Sequence, residues 1–338
     1  MNSNILKLKK NNFYDTKKIL NIANIIKQAK TFFLSGHLQP DCDSVGSALA
    51  LASVLNRINK KAVIYSYDRI PEFLKFLDGV DEIKMLKRKT NKFDCAIILE
   101  ASNFFRIGNK VSKSQFKKII NIDHHLTFSN FGTVNYVVPS SSSTAELVLN
   151  ILEYMKIKLT KNEAECLYTG ILTDTGCFQQ INTNINSHIA SIKLMKYGVN
   201  INKIYKKIHE NNSVNGLKLK GLALCSIKTV FNNRVAYIVL TKKMFKKSHA
   251  KYDDCKNIVN YILTIKSVKV GCVFREIDKN ITKISLRSIK NFNLLDIVNQ
   301  FGGGGHKNAA GCIINNNMET SIKIIVNVLK NKIYDKEL

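Results

Sequence analysis

The chain has 338 residues and a mass of 38.2 kDa, more than one ordinary core holds, so two domains are expected. Apolar residues make up 45% and charged residues 23%, a balance that excludes a wholly disordered chain. The 52 Lys and Arg against 25 Asp and Glu leave a formal charge of +27, a field that draws polyanions.

Most of that charge is lysine, which any tolerant surface accepts. The 7 arginines are the better markers of phosphate, because the planar guanidinium binds it with two parallel hydrogen bonds. The 8 cysteines are scattered and form no CxxC pair, which points to free thiols in a reducing cytoplasm. No apolar run approaches the roughly 18 residues of a membrane span, so no membrane partner is expected. The basic start "MNSNILKLKKNNFYDTKK" lacks a long apolar centre and reads as a terminal helix or arm.

In chain order, "KTFFLSGH" reads as a buried strand running into a loop. "SVGSALALASVLNRINKK" follows with helical spacing and Ser44 as its N-cap. "KAVIYSY", "FDCAIILEA" and "FKKIINIDHH" are three further strands, with segments between them long enough for helices. Alternation of this kind predicts a parallel sheet, whose functional residues gather at the carboxyl ends of its strands. His37, Glu100 and the run Asp123-His124-His125 each fall at or just after such an end. From Ser143 to about Lys228 the pattern is helical, with Ser143 or Thr144 as a cap and Asp174 near the end of "KNEAECLYTGILTDTG".

The pattern then changes. "SIKTVFNNRVAYIVL" predicts a hairpin around Asn-Asn, and "VKVGCVFREI" with "ITKISLRSI" predicts a second strand pair. "NLLDIVNQFGGGGHKNAAG" reads as a helix, a glycine loop and the start of another helix, and "METSIKIIVNVLKNKI" closes the chain as a helix. The expected organisation is residues 1–210, a linker at 211–222, and a smaller α+β domain at 223–338.

The loop "SGHLQPDCDSVGS" holds His37, Asp41 and Asp43 within seven residues. Carboxylates this close repel unless a cation or proton lies between them. With Glu100, the run Asp123-His124-His125 and Asp174 added, the donors are carboxylate and imidazole with no thiolate. That set suits a hard or borderline divalent ion, Mn²⁺ first and Mg²⁺ second. Four carboxylates balance two such ions, a recurring arrangement for hydrolysing phosphate esters. Glycines in "FGGGGHKNAAG" let backbone amides approach a phosphate, and a helix start there would favour anions.

The motifs "HLQPDCDSVGS", "LEASNFFRIG", "IDHH", "LTDTG" and "GGGGHKNAAG", spanning residues 37–311, resemble the DHH phosphoesterase superfamily in its branch with a C-terminal DHHA1 domain. The compact length is similar to nanoRNA and pAp phosphatases and to stand-alone cyclic di-AMP phosphodiesterases. The resemblance implies an α/β DHH domain with a parallel sheet and helical extension, then a smaller α+β DHHA1 domain, with the active site in the interdomain cleft. It implies that His37 and Asp41 bind one metal, and that Asp43, His124 and Asp174 bind the other. Glu100 stands where the family has a bridging aspartate, which puts the bridging geometry in question. His125 would face the substrate phosphate and Asp123 would orient it. Arg106, Arg287, Ser288, Gly303, Gly304, Gly305 and His306 would bind the nucleotide. The implied substrates are cyclic di-AMP, linear dinucleotides such as pApA, short oligoribonucleotides and pAp. Homodimers are common among proteins of this kind. The competing class is a basic nucleic-acid or nucleotide binder without catalysis, for which the +27 charge speaks.

Overall fold

A computed structural model describes residues 15–86, 91–210, 212–255, 258–289 and 292–334. The chain divides into two compact units between Asn211 and Asn212. Among the described residues no helix is long and apolar enough to cross a membrane.

The first unit is built on six strands: β1 Thr31–Ser35, β2 Lys61–Ser66, β3 Lys84–Met85, β4 Phe93–Leu99, β5 Phe116–Asp123 and β6 Val134–Val137. They lie in the order β3-β2-β1-β4-β5-β6, all parallel. The order reverses direction between β1 and β4, and in open sheets such a reversal opens a crevice beyond the strand ends. Its helices are α1 Thr16–Gln28, α2 Cys42–Arg57, α3 Thr144–Tyr154, α4 Lys161–Asp174, α5 Ile185–Met195 and α6 Ile201–His209. One large core, from Ile22 and Phe32 through Leu51 to Leu167, fills one face of the sheet. A smaller one around Phe33, Ile98 and Phe116 fills the other.

Two expectations are corrected here. Among the described residues only the crossover from β1 to β2 is an α-helix; those from β2 to β4 and from β4 to β5 show 3-10 turns, one starting at Gly79 in a left-handed conformation. Helix α2 is capped by Asp41 rather than Ser44, which stands three residues on and completes a capping box. The short strands β3 and β6 carry too few residues to show a period in sequence.

The second unit begins with α7 Val214–Leu224, so most of the segment expected as a linker is helical and packs against β8. Its strands are β7 Lys228–Val230, β8 Val235–Leu240, β9 Val270–Asp278, β10 Ile281–Ser288, β11 Gly304–His306 and β12 Ala309–Ile314. They form one sheet in the order β11-β12-β10-β9-β8-β7, parallel only between β8 and β9. The remaining helices are α8 Lys242–Ser248, α9 Val259–Ile262, α10 Leu295–Val298 and α11 Met318–Tyr334. The hairpin at Asn-Asn and the β9–β10 pair lie where the sequence puts them. The helix expected after the glycines is instead strand β12, paired along its length with β10.

Candidate metal centre

His37 follows β1 and Glu100 follows β4, on either side of the point where the strand order reverses. Asp123 ends β5 and hands the chain to His124 and His125. Asp41 caps α2, Asp43 lies in its first turn, and Asp174 ends α4. His37, Asp41, Asp43, Glu100, His124 and Asp174, from five elements, thus meet at one rim.

They form two triads. His37, Asp41 and Glu100 each bring one donor atom within 4.8 Å of the others, and so do Asp43, His124 and Asp174. Glu100 reaches both: Oε2 lies 3.8 Å from His37 Nε2 and Oε1 lies 3.8 Å from His124 Nε2. The longer stem of glutamate therefore still places a carboxylate between the triads. His124 Nε2 lies 3.5 Å from Asp174 Oδ2 and 4.0 Å from Asp43 Oδ2. His37 Nε2 lies 3.3 Å from Asp41 Oδ2, and its Nδ1 lies 2.6 Å from the Leu38 carbonyl, which sets the ring's tautomer.

The supports are local. Asp43 accepts the Thr144 and Ala145 backbone N–H groups at 2.6 and 2.8 Å, so the start of α3 holds it. Asp123 Oδ1 accepts the backbone N–H of His124 and of His125, and lies 2.7 Å from His125 Nδ1. Asn182 donates to Asp174 Oδ2 at 3.2 Å and to the Ser142 carbonyl at 2.8 Å. Neither Asn182 nor the α3 amides is visible from sequence; Asn182 lies in an Asn- and Thr-rich loop with no motif of its own.

Burial makes the centre electrostatically uncomfortable. Burial and repulsion from Asp41, Asp43 and Asp174 push the Glu100 carboxyl well up. Burial and repulsion from Asp174 push Asp43 up to about 7. Burial also raises Asp174, although His124 works against it. Burial disfavours charge on His124 and His37, yet the acids beside each outweigh it and raise both. Burial opposes ionisation of Asp41 too, but its bond to His37 holds it well below the usual carboxylate range.

Among the described residues no lysine or arginine pairs with these four acids, and Glu100 Oε2 is buried with no hydrogen-bond partner. Crowded carboxylates, imidazoles and an unpaired buried oxygen fit divalent cations, which supply the missing positive charge.

The expected substrate contacts are more dispersed. Arg106 lies on a 3-10 turn, Phe104–Ile107, with its Nε buried and without a partner. Its carbonyl accepts the Leu38 N–H at 2.6 Å, tying the turn to the His37 loop. In the second unit Arg287 is half-buried on β10, where burial lowers its pKa. Ser288 departs from expectation: it is buried, donates to the Phe292 carbonyl at 3.0 Å and accepts from Asn308 at 2.8 Å. Its hydroxyl is thus engaged by Phe292 and Asn308 beside Arg287. Gly303 and Gly305 are required by close strand approach, since a Cβ on either would strike a β12 carbonyl. Of these three glycines, Gly304 alone would place a Cβ in open space. The side chain of His306 lies outside the described residues.

Residues 31–171 match the DHH family, N-terminal domain, and residues 232–335 match the DHHA1 domain. The chain is 27% identical to the bifunctional oligoribonuclease and PAP phosphatase NrnA of Thermus thermophilus, over 88% of this chain and 89% of that one. It is 30% identical to the uncharacterized protein MG371 of Mycoplasma genitalium, over 89% of this chain and 91% of that one. The crystal structure of an exopolyphosphatase-related protein from Bacteroides fragilis matches with a TM-score of 0.88 at 30% identity, covering 94% of this chain and 97% of that one.

Proposed function

Because this chain belongs to the DHH family of phosphoesterases, with a DHHA1 domain behind its DHH domain, we propose that it hydrolyses short oligoribonucleotides and small nucleotides such as pApA and pAp to mononucleotides. The observation that carries this reading is two three-donor clusters joined by Glu100, a donor of the first whose other oxygen reaches His124 of the second, with the Asp123–His125 pair beside them. The name of the Thermus relative supports the short-chain substrate class. Cyclic di-AMP stays within the same chemistry as a further substrate.

His37 and Asp41 would hold one divalent ion, Asp43, His124 and Asp174 the other, and Glu100 would reach both. Mn²⁺ is the proposed ion, with Mg²⁺ second. When bound, such ions neutralise phosphate charge and make nearby water more acidic. Asp123 orients the His125 ring through Nδ1, so His125 would carry at Nε2 the proton that the leaving ester oxygen takes up. Asn182 and the α3 amides keep Asp174 and Asp43 aimed. Arg106, Arg287 and the backbone at Gly304 would bind nucleotide phosphates.

The test is product analysis with Mn²⁺ on pApA, cyclic di-AMP, pAp, a five-nucleotide RNA and a twenty-nucleotide RNA, with the Asp123→Ala, His124→Ala double variant as control. Mononucleotides from the short substrates, slowest release from the twenty-nucleotide strand and loss in the variant are expected. Salt-sensitive binding of the long strand with no turnover of any substrate would make the chain a binder and sink the proposal.

A further inference from the structure

The sheet of the second unit is covered on both faces along β8 and β9, where every residue from Val270 to Arg275 is buried. On β10 and β12 burial alternates. Thr282, Ile284, Leu286, Ala310, Cys312 and Ile314 point into the core, while Lys283, Ser285, Arg287, Ala309, Gly311 and Ile313 line an exposed face. Small residues floor that face, and Lys283 and Arg287 stand on one column of β10.

Arg275 on β9 is directly opposite Lys283 in the antiparallel register, so its side chain leaves from this same face. It is only 8% exposed. Its guanidinium carbon lies 3.4 Å from the centroid of the Tyr252 ring, and Nη1 lies 3.6 Å from Cys255 Sγ. Among the described residues Nε and Nη2 have no hydrogen-bond partner. Among the described residues no carboxylate pairs with this cation.

The two orphaned donors are not an arbitrary pair. Nε–H and Nη2–H share one edge of the planar guanidinium and form the fork that takes two oxygens of a single oxyanion. The ring face and Nη1 are engaged, and the fork is whole. A buried cation with two unmade hydrogen bonds costs free energy, and an oxyanion on the fork removes that cost.

Arg287 pairs with Gly271, four residues along β9 from Arg275. At strand spacing that is about 13 Å, further than a mononucleotide's phosphate reaches. We infer that Arg275, with Lys283, forms a second phosphate subsite on the open sheet face, taking a phosphate further along the substrate than the one at Arg287. The inference rests on the proposed function and deepens it, because such a subsite sets the preferred substrate length. Tyr252 is half-exposed in the turn Tyr252–Cys255, and the inference requires its ring to rotate outward for a phosphate to reach the fork.

The test is equilibrium binding by calorimetry in EDTA, which needs no turnover. The full chain is titrated with 5′-phosphorylated diadenylate and pentaadenylate, comparing the native protein with Arg275→Gln, Arg275→Lys and Lys283→Gln. In Arg275→Gln the ratio of pentamer Kd to dinucleotide Kd rises roughly tenfold or more. Lysine restores part of it, since a point charge lacks the fork. Lys283→Gln raises the ratio less, and because Lys283 is exposed it decides the matter even if loss of Arg275 lowers the unfolding midpoint. An unchanged ratio in all three variants overturns the subsite. Length-dependent binding without hydrolysis by the native protein would defeat the proposed function and leave the subsite standing.

Discussion

Glu100 adopts a φ of 58°, a left-handed conformation that costs a non-glycine residue about 1–3 kcal/mol. The strain sits at the one carboxylate that reaches both triads, and it adds to the cost of burying that charge. Without a cation, Glu100 and Asp43 have raised pKa values, so the folded state holds protons that the unfolded state has released. Below about pH 4 both states are protonated and no penalty exists. The penalty grows as pH rises towards the raised value near 7 of Asp43 and beyond. His37 and His124, also raised, lose their stabilising contribution in the same direction. The lowered Asp41 acts oppositely, and only in acid. The unfolding midpoint in EDTA should therefore fall between pH 5 and 8, and Mn²⁺ should restore it most at the alkaline end; calorimetry across that range checks both. Glu100→Gln should raise the EDTA midpoint at pH 8 while lowering turnover on the order of 100-fold, as removal of one electrostatic contact does. The six donors were legible because each follows an apolar strand or bounds a helix. The inward direction of Ser288 was not legible, because it is a fact of strand register that its neighbour Arg287 does not reveal.

Helix α2 brings Asp41 and Asp43 to the centre, and its packing against α4 holds them there. Gly46 and Gly170 allow that approach. A methyl at Gly170 would meet Asp43 Oδ1 at 2.7 Å and Ala145 Cβ at 2.9 Å, and one at Gly46 would strike the Cys166 carbonyl. Alanine normally favours a helix over glycine by about 1 kcal/mol, so the sign here is decided by the clash. Gly46→Ala should destabilise by about 1–3 kcal/mol, read by chemical denaturation. Gly170→Ala should raise the Mn²⁺ concentration for half-maximal rate roughly tenfold, because it displaces a carboxylate rather than a carbonyl. At this scale the long strands β1, β2, β4 and β5 were plain in the first unit, but the helices expected between them were not, since among the described residues only the β1–β2 crossover is an α-helix. The glycine-rich stretch was not: Ala309 and Ala310 suggest a helix locally, but pairing with β10 and the Asn308 bonds to the β10 turn override that preference.

Each unit owns its core. In the second, one cluster around Phe274 and Ile297 and another around Ile238 and Val259 fill the two sides of the sheet from residues of that unit alone. Residues 212–338 expressed separately should unfold cooperatively and hydrolyse nothing, since all six candidate metal donors lie in the first unit; circular dichroism melting and the product assay check this. The charge of +27 remains a property of the whole surface, and it speeds encounter with any polyanion without choosing among them.

The sequence by itself determined which donors are present, their order, and their place at strand and helix ends, because period and punctuation are local. Only the tertiary structure decided that Glu100 reaches both triads, that the amides of α3 hold Asp43, that β12 is a strand and that the Arg275 fork is left unpaired. Those outcomes depend on which faces meet across tens or hundreds of residues, and local pattern carries no record of that.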